Sequence, residues 1–85
     1  MATTTTALEE ATAKLALPPP ARRQEIRERA GLSRRRLARD LGVSPQAVAF
    51  WEMGAEAGGR EPQGENLVHY VTLLGHLALA EQGVE

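Results

Sequence analysis

The 85-residue sequence contains no cysteine. Disulfides and thiolate metal sites are therefore excluded, and stability rests on packed side chains or on a partner subunit. Aromatic residues are scarce: Phe50, Trp51 and Tyr70 are the full set. No apolar stretch approaches the roughly 20 residues that a membrane-spanning helix needs, so no membrane association is expected. Met1 to Thr6 carries no basic residue and no long apolar run, which argues against a secretory signal and makes the cytoplasm the expected compartment. No Ser-His-Asp set and no paired acids occur. Gly58-Gly59 is not followed by the helix with lysine or threonine that a phosphate-cradling loop requires. His69 and His76 stand one heptad apart without an acidic cluster nearby, so no metal site is expected. These absences point to a chain that is not an enzyme and needs no cofactor.

What remains is a chain long enough for one domain with a small core. Its net charge is −1, but the charge is segregated. Arg22 to Asp40 holds eight arginines against Glu25, Glu28 and Asp40, whereas Leu41 to Glu85 holds one base, Arg60, against six glutamates. Such a dipolar chain presents one face suited to phosphate and another that is not.

The local signals predict helices and no strands. Thr6-Ala7-Leu8-Glu9 fits a capping box, starting a short helix to about Leu15 with Leu8, Ala11 and Leu15 on its apolar face. Pro18-Pro19-Pro20 ends it and starts a second helix, to about Ala30, with Gly31 as its left-handed terminator. Ser33 caps a third helix whose buried side is Leu37, Ala38 and Leu41. Gly42 stops it. Ser44-Pro45 starts a fourth, closed by Gly54, with Val48 and Trp51 on one face. Ala55 to Gly64 reads as a long loop. A last helix spans about Glu65 to Leu79, with Leu67, Tyr70, Val71 and Leu74 on one stripe and Val68, Leu73 and Leu77 on a second. The expected fold is an all-α bundle of about five short helices. The expected division is a leader over 1–19, a domain over 20–80 and a tail over 81–85.

Leu32 to Glu52, LSRRRLARDLGVSPQAVAFWE, reads as helix, tight Gly-Val turn, helix. Ala38 sits where two crossing helices approach closely, and Gly42 permits the turn. This spacing is that of a helix-turn-helix, whose second helix enters the major groove. The sequence resembles the Xre/Cro family of phage-repressor-like DNA-binding domains over about Ala21 to Leu77. The matching residues are Arg27, Gly31-Leu32-Ser33, Leu37-Ala38, Leu41-Gly42-Val43-Ser44, Val48, Trp51-Glu52 and Gly54, with Pro62 and Leu67 at the start of the last helices. The Leu17-to-Pro20 lead-in and the Pro62-to-Leu67 segment resemble regulators of actinobacteria, their phages and mobile elements. The chain departs from the family in a longer loop after Gly54, which lacks a basic residue at Ala55 and places its arginine later, at Arg60.

The resemblance implies a regulator that binds double-stranded DNA, with Arg34 against the backbone beside the recognition helix and a partly buried ion pair of Arg27 with Glu52. From the residues themselves, Arg35, Arg36, Arg39, Arg60 and Ser44 are further candidates for phosphate. Gln46 is the best base reader, since glutamine pairs bidentately with adenine. Pro45 lies near it, and Ala49 and Phe50 point outward one turn later, where apolar surface suits a thymine methyl. Phe50 lies about 100° round the helix from Trp51, which also suits a partner or the long loop. Trp51 is expected in the core, and Arg22 and Arg23 on a solvated face or at peripheral phosphates. A homodimer is expected, through Val68, Leu73 and Leu77 with help from Leu8 and Leu15. The alternative is an antitoxin or adaptor that mainly binds a protein partner and only secondarily DNA.

Overall fold

A computed structural model describes residues 6–81. Within them the chain forms α1 (Ala7–Ala16), α2 (Pro20–Arg29), α3 (Arg34–Leu41), α4 (Pro45–Met53), a single 3₁₀ turn (Ala55–Ala57) and α5 (Gly64–Glu81). The fold class is all-α, as the periodicities predicted. Residues 1–5 of the leader and most of the tail read over 81–85 lie outside the described residues.

Local chemistry sets nearly every boundary. The Thr6 hydroxyl accepts from the Glu9 amide, and the Glu9 carboxylate accepts from the Thr6 amide, so both halves of the capping box are made. The Ser33 and Ser44 hydroxyls accept from the Arg36 and Ala47 amides at the starts of α3 and α4. Gly42 takes the left-handed conformation, φ 72°, that lets α3 end and α4 begin three residues later. The Val43 amide donates to the Ala38 carbonyl at 2.9 Å, closing that turn.

The core gathers Ile26 from α2, Leu37 and Ala38 from α3, Val48 and Trp51 from α4, and Tyr70 and Leu74 from α5. Ala38 is fully buried where α3 meets α4, so its small side chain sets the close approach of the two helices. Trp51 and Tyr70 pack with ring centroids 4.9 Å apart, within the range aromatic pairs favour. Trp51 is thus a core residue. α2 packs on α4 and α5, and α5 runs behind the helix pair α3–α4.

α1 packs along α5, but not with the face its sequence suggests. Ala13 is the residue it buries, while Leu8 and Leu15 are 76% and 90% exposed. The stripe of Leu8, Ala11 and Leu15 therefore faces away from its own fold. A small inward residue lets α1 lie close to α5, and the Glu10 carboxylate accepts the Gly64 amide at the start of α5, which fixes that rotation.

Candidate nucleic-acid interface

The start of α4 is the centre of the site. Pro45 and Gln46 are exposed on its first turn, and Ala49 and Phe50 are half-buried one turn later. Ser44 caps the helix as a hydrogen-bond acceptor, which leaves its own hydroxyl proton to donate outward. The N-terminal amides of α4 and the helix dipole add partial positive charge at the same end.

Ion pairing sorts the arginines. Arg22 and Arg29 share Glu25 and Glu81, which ties α2 to the end of α5. Arg36 meets Asp40 at 3.5 Å. Arg27 and Arg34 both meet Glu52. Among the described residues, Lys14, Arg35, Arg39 and Arg60 are left without a carboxylate in ion-pair range. Arg35 and Arg39 are exposed on α3, one turn apart. Most of the positive charge visible in the sequence is thus neutralised within the fold, and among the described residues the open arginines are Arg35 and Arg39 on α3 and Arg60 beside α4.

Glu52 is a buried junction. Its side chain is 1% exposed and receives Arg27 through both Nε and Nη2, the latter at 3.1 Å. Arg27 Nη1 donates to the Leu32 carbonyl at 2.8 Å, anchoring the α2–α3 turn. The hydrogen bond that Glu52 accepts holds the Arg27 guanidinium more firmly protonated than usual, against the opposing effect of burial. Arg34 donates through Nε at 2.9 Å to Glu52 Oε1, the oxygen that Arg27 Nη2 also bonds, while its side chain remains 46% exposed. Its two terminal nitrogens are not used by that contact.

Arg23 corrects the sequence reading. Expected on a solvated face, it is 4% exposed. Its Nε donates to the Pro18 carbonyl, its Nη1 to the Trp51 carbonyl, both at 2.7 Å, and its Nη2 to Glu61 at 2.9 Å. It therefore fastens the proline lead-in, the end of α4 and the following loop to one guanidinium. The available signal was its position one turn before Arg27, on the side of α2 that carries Ile26.

The loop after Gly54 folds back on α4. The Arg60 amide donates to the Phe50 carbonyl at 3.1 Å and the Gly59 amide to the Gly54 carbonyl at 2.8 Å. Arg60, expected at phosphate, lies with its guanidinium 5.4 Å over the centre of the Phe50 ring. Both line a groove of about 520 Å³ with Ser44, Gln46 and Ala47. Glu61 borders that groove, but its carboxylate is occupied by Arg23 and the Ala55 amide. Burial works to raise the Glu61 pKa, yet these two hydrogen bonds prevail and hold it below the usual carboxylate value.

Leu73 and Leu77 are partly buried and pack against the core. Val68 is half-buried and lines the groove between α1 and α5 with Leu8 and Thr12. His69 and His76 border a shallow groove with Asp40. Among the described residues no three His, Asp or Glu side chains are grouped to hold a metal ion, and no helix is long and apolar enough to cross a membrane.

A family model described as Helix-turn-helix matches residues 24–81, from the middle of α2 to the end of α5. No curated protein and no solved structure matches the chain. The match spans the buried Arg27–Glu52 pair, the Gly42 turn and the exposed start of α4 together, and the chain belongs to the Xre/Cro-like helix-turn-helix family of DNA-binding regulators.

Proposed function

We propose that this DNA-binding regulator is a repressor that binds an inverted-repeat operator as a homodimer in the cytoplasm. In this reading α4 lies in the major groove, Gln46 reads a base in bidentate fashion, and Pro45, Ala49 and Phe50 contact neighbouring base edges. Arg35 and Arg39 meet phosphates on one side of the groove, and Arg34 and Ser44 meet the backbone beside the first turn of α4. The observation that carries the reading is that Arg35 and Arg39, exposed one turn apart on the helix before the turn, have no carboxylate in ion-pair range among the described residues, whereas Arg22, Arg23, Arg27, Arg29, Arg34 and Arg36 are paired.

The dimer follows from information content. One recognition helix reads only a few base pairs, and two-fold pairing doubles the readout. The apolar surface offered for it is Leu8 and Leu15 on α1, continued by the exposed parts of Val68, Leu73 and Leu77 on α5. The same exposed leucines suit the alternative, an antitoxin or adaptor that holds a protein partner. The deciding experiment is selection of bound sequences from random duplex DNA, with sedimentation of the protein alone and on the selected site. An inverted repeat with half-sites about 10 base pairs apart, bound by two chains, is the expected result. A monomer on an asymmetric site removes the dimer, and no selected sequence removes specific readout.

A further inference from the structure

Arg60 is the one basic residue between Leu41 and the end of the chain, and the loop that carries it is built to hold it on α4. Its own amide is bonded to the Phe50 carbonyl. The preceding Gly59 lies so close to the α4 backbone that a β-carbon there would stand 2.8 Å from the Met53 Cβ. The neighbouring Glu61 does not claim the guanidinium, because Arg23 and the Ala55 amide occupy its carboxylate. A cation with no carboxylate partner among the described residues is therefore fixed over an aromatic ring, in the same groove as Gln46.

A phosphate clamp needs a cation free to lie along the backbone rim. Arg60 is anchored instead against the side of α4 that carries Gln46 and Phe50, four residues apart and so on one face. We infer that Phe50 and Arg60 act together as one reader of a thymine adjacent to a guanine, and that Arg60 is a base-reading residue, not a phosphate contact. The inference rests on the placement of α4 in the major groove proposed above. The thymine methyl is the apolar group that base edges present there, and guanine N7 and O6 are the acceptor pair that a guanidinium matches with two parallel hydrogen bonds. Bases stack about 3.4 Å apart along a strand. A ring and a guanidinium with centres 5.4 Å apart are spaced on the scale of adjacent bases, so each can meet its own base. The ring attracts the cation without using any of its N–H donors, so these stay free for acceptors. It also removes rotamer freedom before DNA is met, which favours a geometrically demanding contact over a loose one.

The test begins with sequences selected by the wild-type protein from random duplex DNA. The selected site is then rebuilt with deoxyuridine for thymine, which deletes only the methyl, and with 7-deazaguanine for guanine, which deletes only the N7 acceptor. Wild type should select a thymine–guanine neighbour pair in each half-site. The 7-deazaguanine duplex should bind wild type roughly five- to a hundred-fold more weakly, the scale of one bidentate contact. Arg60→Ala removes every donor, so it should show no such sensitivity. Phe50→Ala should lose the sensitivity to deoxyuridine. Circular dichroism confirms that both variants remain folded. The inference is overturned if the selected site holds no such pair, or if Arg60→Ala leaves the selected sequence unchanged and lowers the salt dependence of binding by about one phosphate contact. If wild type selects no sequence at all, the specific readout of the preceding section fails as well, which separates the two failures.

Discussion

Gly59 has no room for a side chain because Phe50 closes the space. A β-carbon on Gly59 would fall on the Phe50 carbonyl oxygen, well inside contact distance, and the Gly54 carbonyl would stand 2.9 Å away on another side. These are backbone atoms of a helix end, and they cannot swing aside as a side chain tip would. Gly59→Ala should therefore cost about 1–3 kcal/mol, the range of an overpacked site, and should lift Arg60 off the Phe50 ring. Thermal melting checks the first, and loss of DNA affinity at temperatures where the variant is folded checks the second. A variant with wild-type melting and binding would show that the loop does not fold back on α4.

The Glu52 carboxylate joins two arginines with different tasks. Removing it strands Arg27, whose side chain is 9% exposed. Glu52→Ala should cost about 3–5 kcal/mol, the usual effect of leaving a buried charge uncompensated, and in so small a fold this is enough to unfold much of the protein. Arg34→Ala removes only the half-exposed partner. Its melting temperature should change little, because pairs open to solvent contribute about 0–1 kcal/mol. Its DNA affinity should fall on all duplexes, with a salt slope lower by about one. An unchanged slope would mean that Arg34 serves Glu52 alone.

The helix boundaries were legible in the sequence because their causes are local. A serine hydroxyl reaches an amide three residues on, and glycine ends α3 by its own backbone freedom. The Arg27–Glu52 contact was legible only through the resemblance. Arg23 was not legible, because two of its acceptors are the Pro18 and Trp51 carbonyls, and every residue carries a carbonyl. Nothing in residue type marks those two. The rotation of α1 was hidden for a related reason. Leu8, Ala11 and Leu15 form the better apolar stripe, yet Ala13 faces α5 because a small residue allows the closer approach. Hydrophobicity alone does not encode that distance.

Acid should remove the stabilisation that two paired carboxylates supply, Glu61 in the loop beside α4 and Glu25 on α2. Glu61 and Glu25 both have folded-state pKa values below the ordinary carboxylate value. For Glu61 burial opposes the shift, and the hydrogen bonds from Arg23 and Ala55 drive it. For Glu25 the hydrogen bond from Arg22 leads, followed by the charge of Arg29. A depressed pKa means that the stabilisation is present above the unfolded-state value and is lost as pH falls through the folded-state value. Stability should hold near neutrality and decline from about pH 5 downward. Glu61→Gln should melt lower than wild type at neutral pH, and its curve should fall less steeply in acid. Parallel pH profiles for the two proteins would remove Glu61 from the acid response.

The ring pair in the core should answer to two substitutions in opposite ways. Trp51→Ala deletes a large buried aromatic and should destabilise by roughly 3–5 kcal/mol. Tyr70 is fully buried, and its hydroxyl has no hydrogen-bond partner among the described groups. Burial pushes its pKa above the usual tyrosine value, with the nearby charge of Glu52 acting in the same direction. An unbonded buried hydroxyl carries a desolvation cost of about 1–3 kcal/mol. Tyr70→Phe keeps the ring and removes that cost, so its stability should equal or exceed wild type in denaturant titration. A clear loss would show that a bound water bonds the hydroxyl.

The dimer proposal turns on which leucines can be changed without harming the fold. Leu73 and Leu77 pack on the core, so charged substitutions there would unfold the chain and say little about assembly. Leu8 and Leu15 are 76% and 90% exposed and lie one heptad apart on the outward side of α1. Leaving such a stripe in water is unfavourable, and pairing it across a two-fold axis places the same apolar residues on both sides. The informative variant is Leu8→Glu with Leu15→Glu. Two glutamates repel their counterparts in any two-fold arrangement, whereas a glutamate and a lysine could re-pair. The double variant should melt at or near the wild-type temperature, sediment as a monomer, and bind an isolated half-site as well as wild type does. On the full inverted repeat it should lose the extra affinity that a linked second subunit gives. If it remains dimeric, the two-fold surface lies elsewhere on α5. If wild type itself occupies the full site as one chain, the dimer is wrong, and the leucines of α1 belong to a different protein partner.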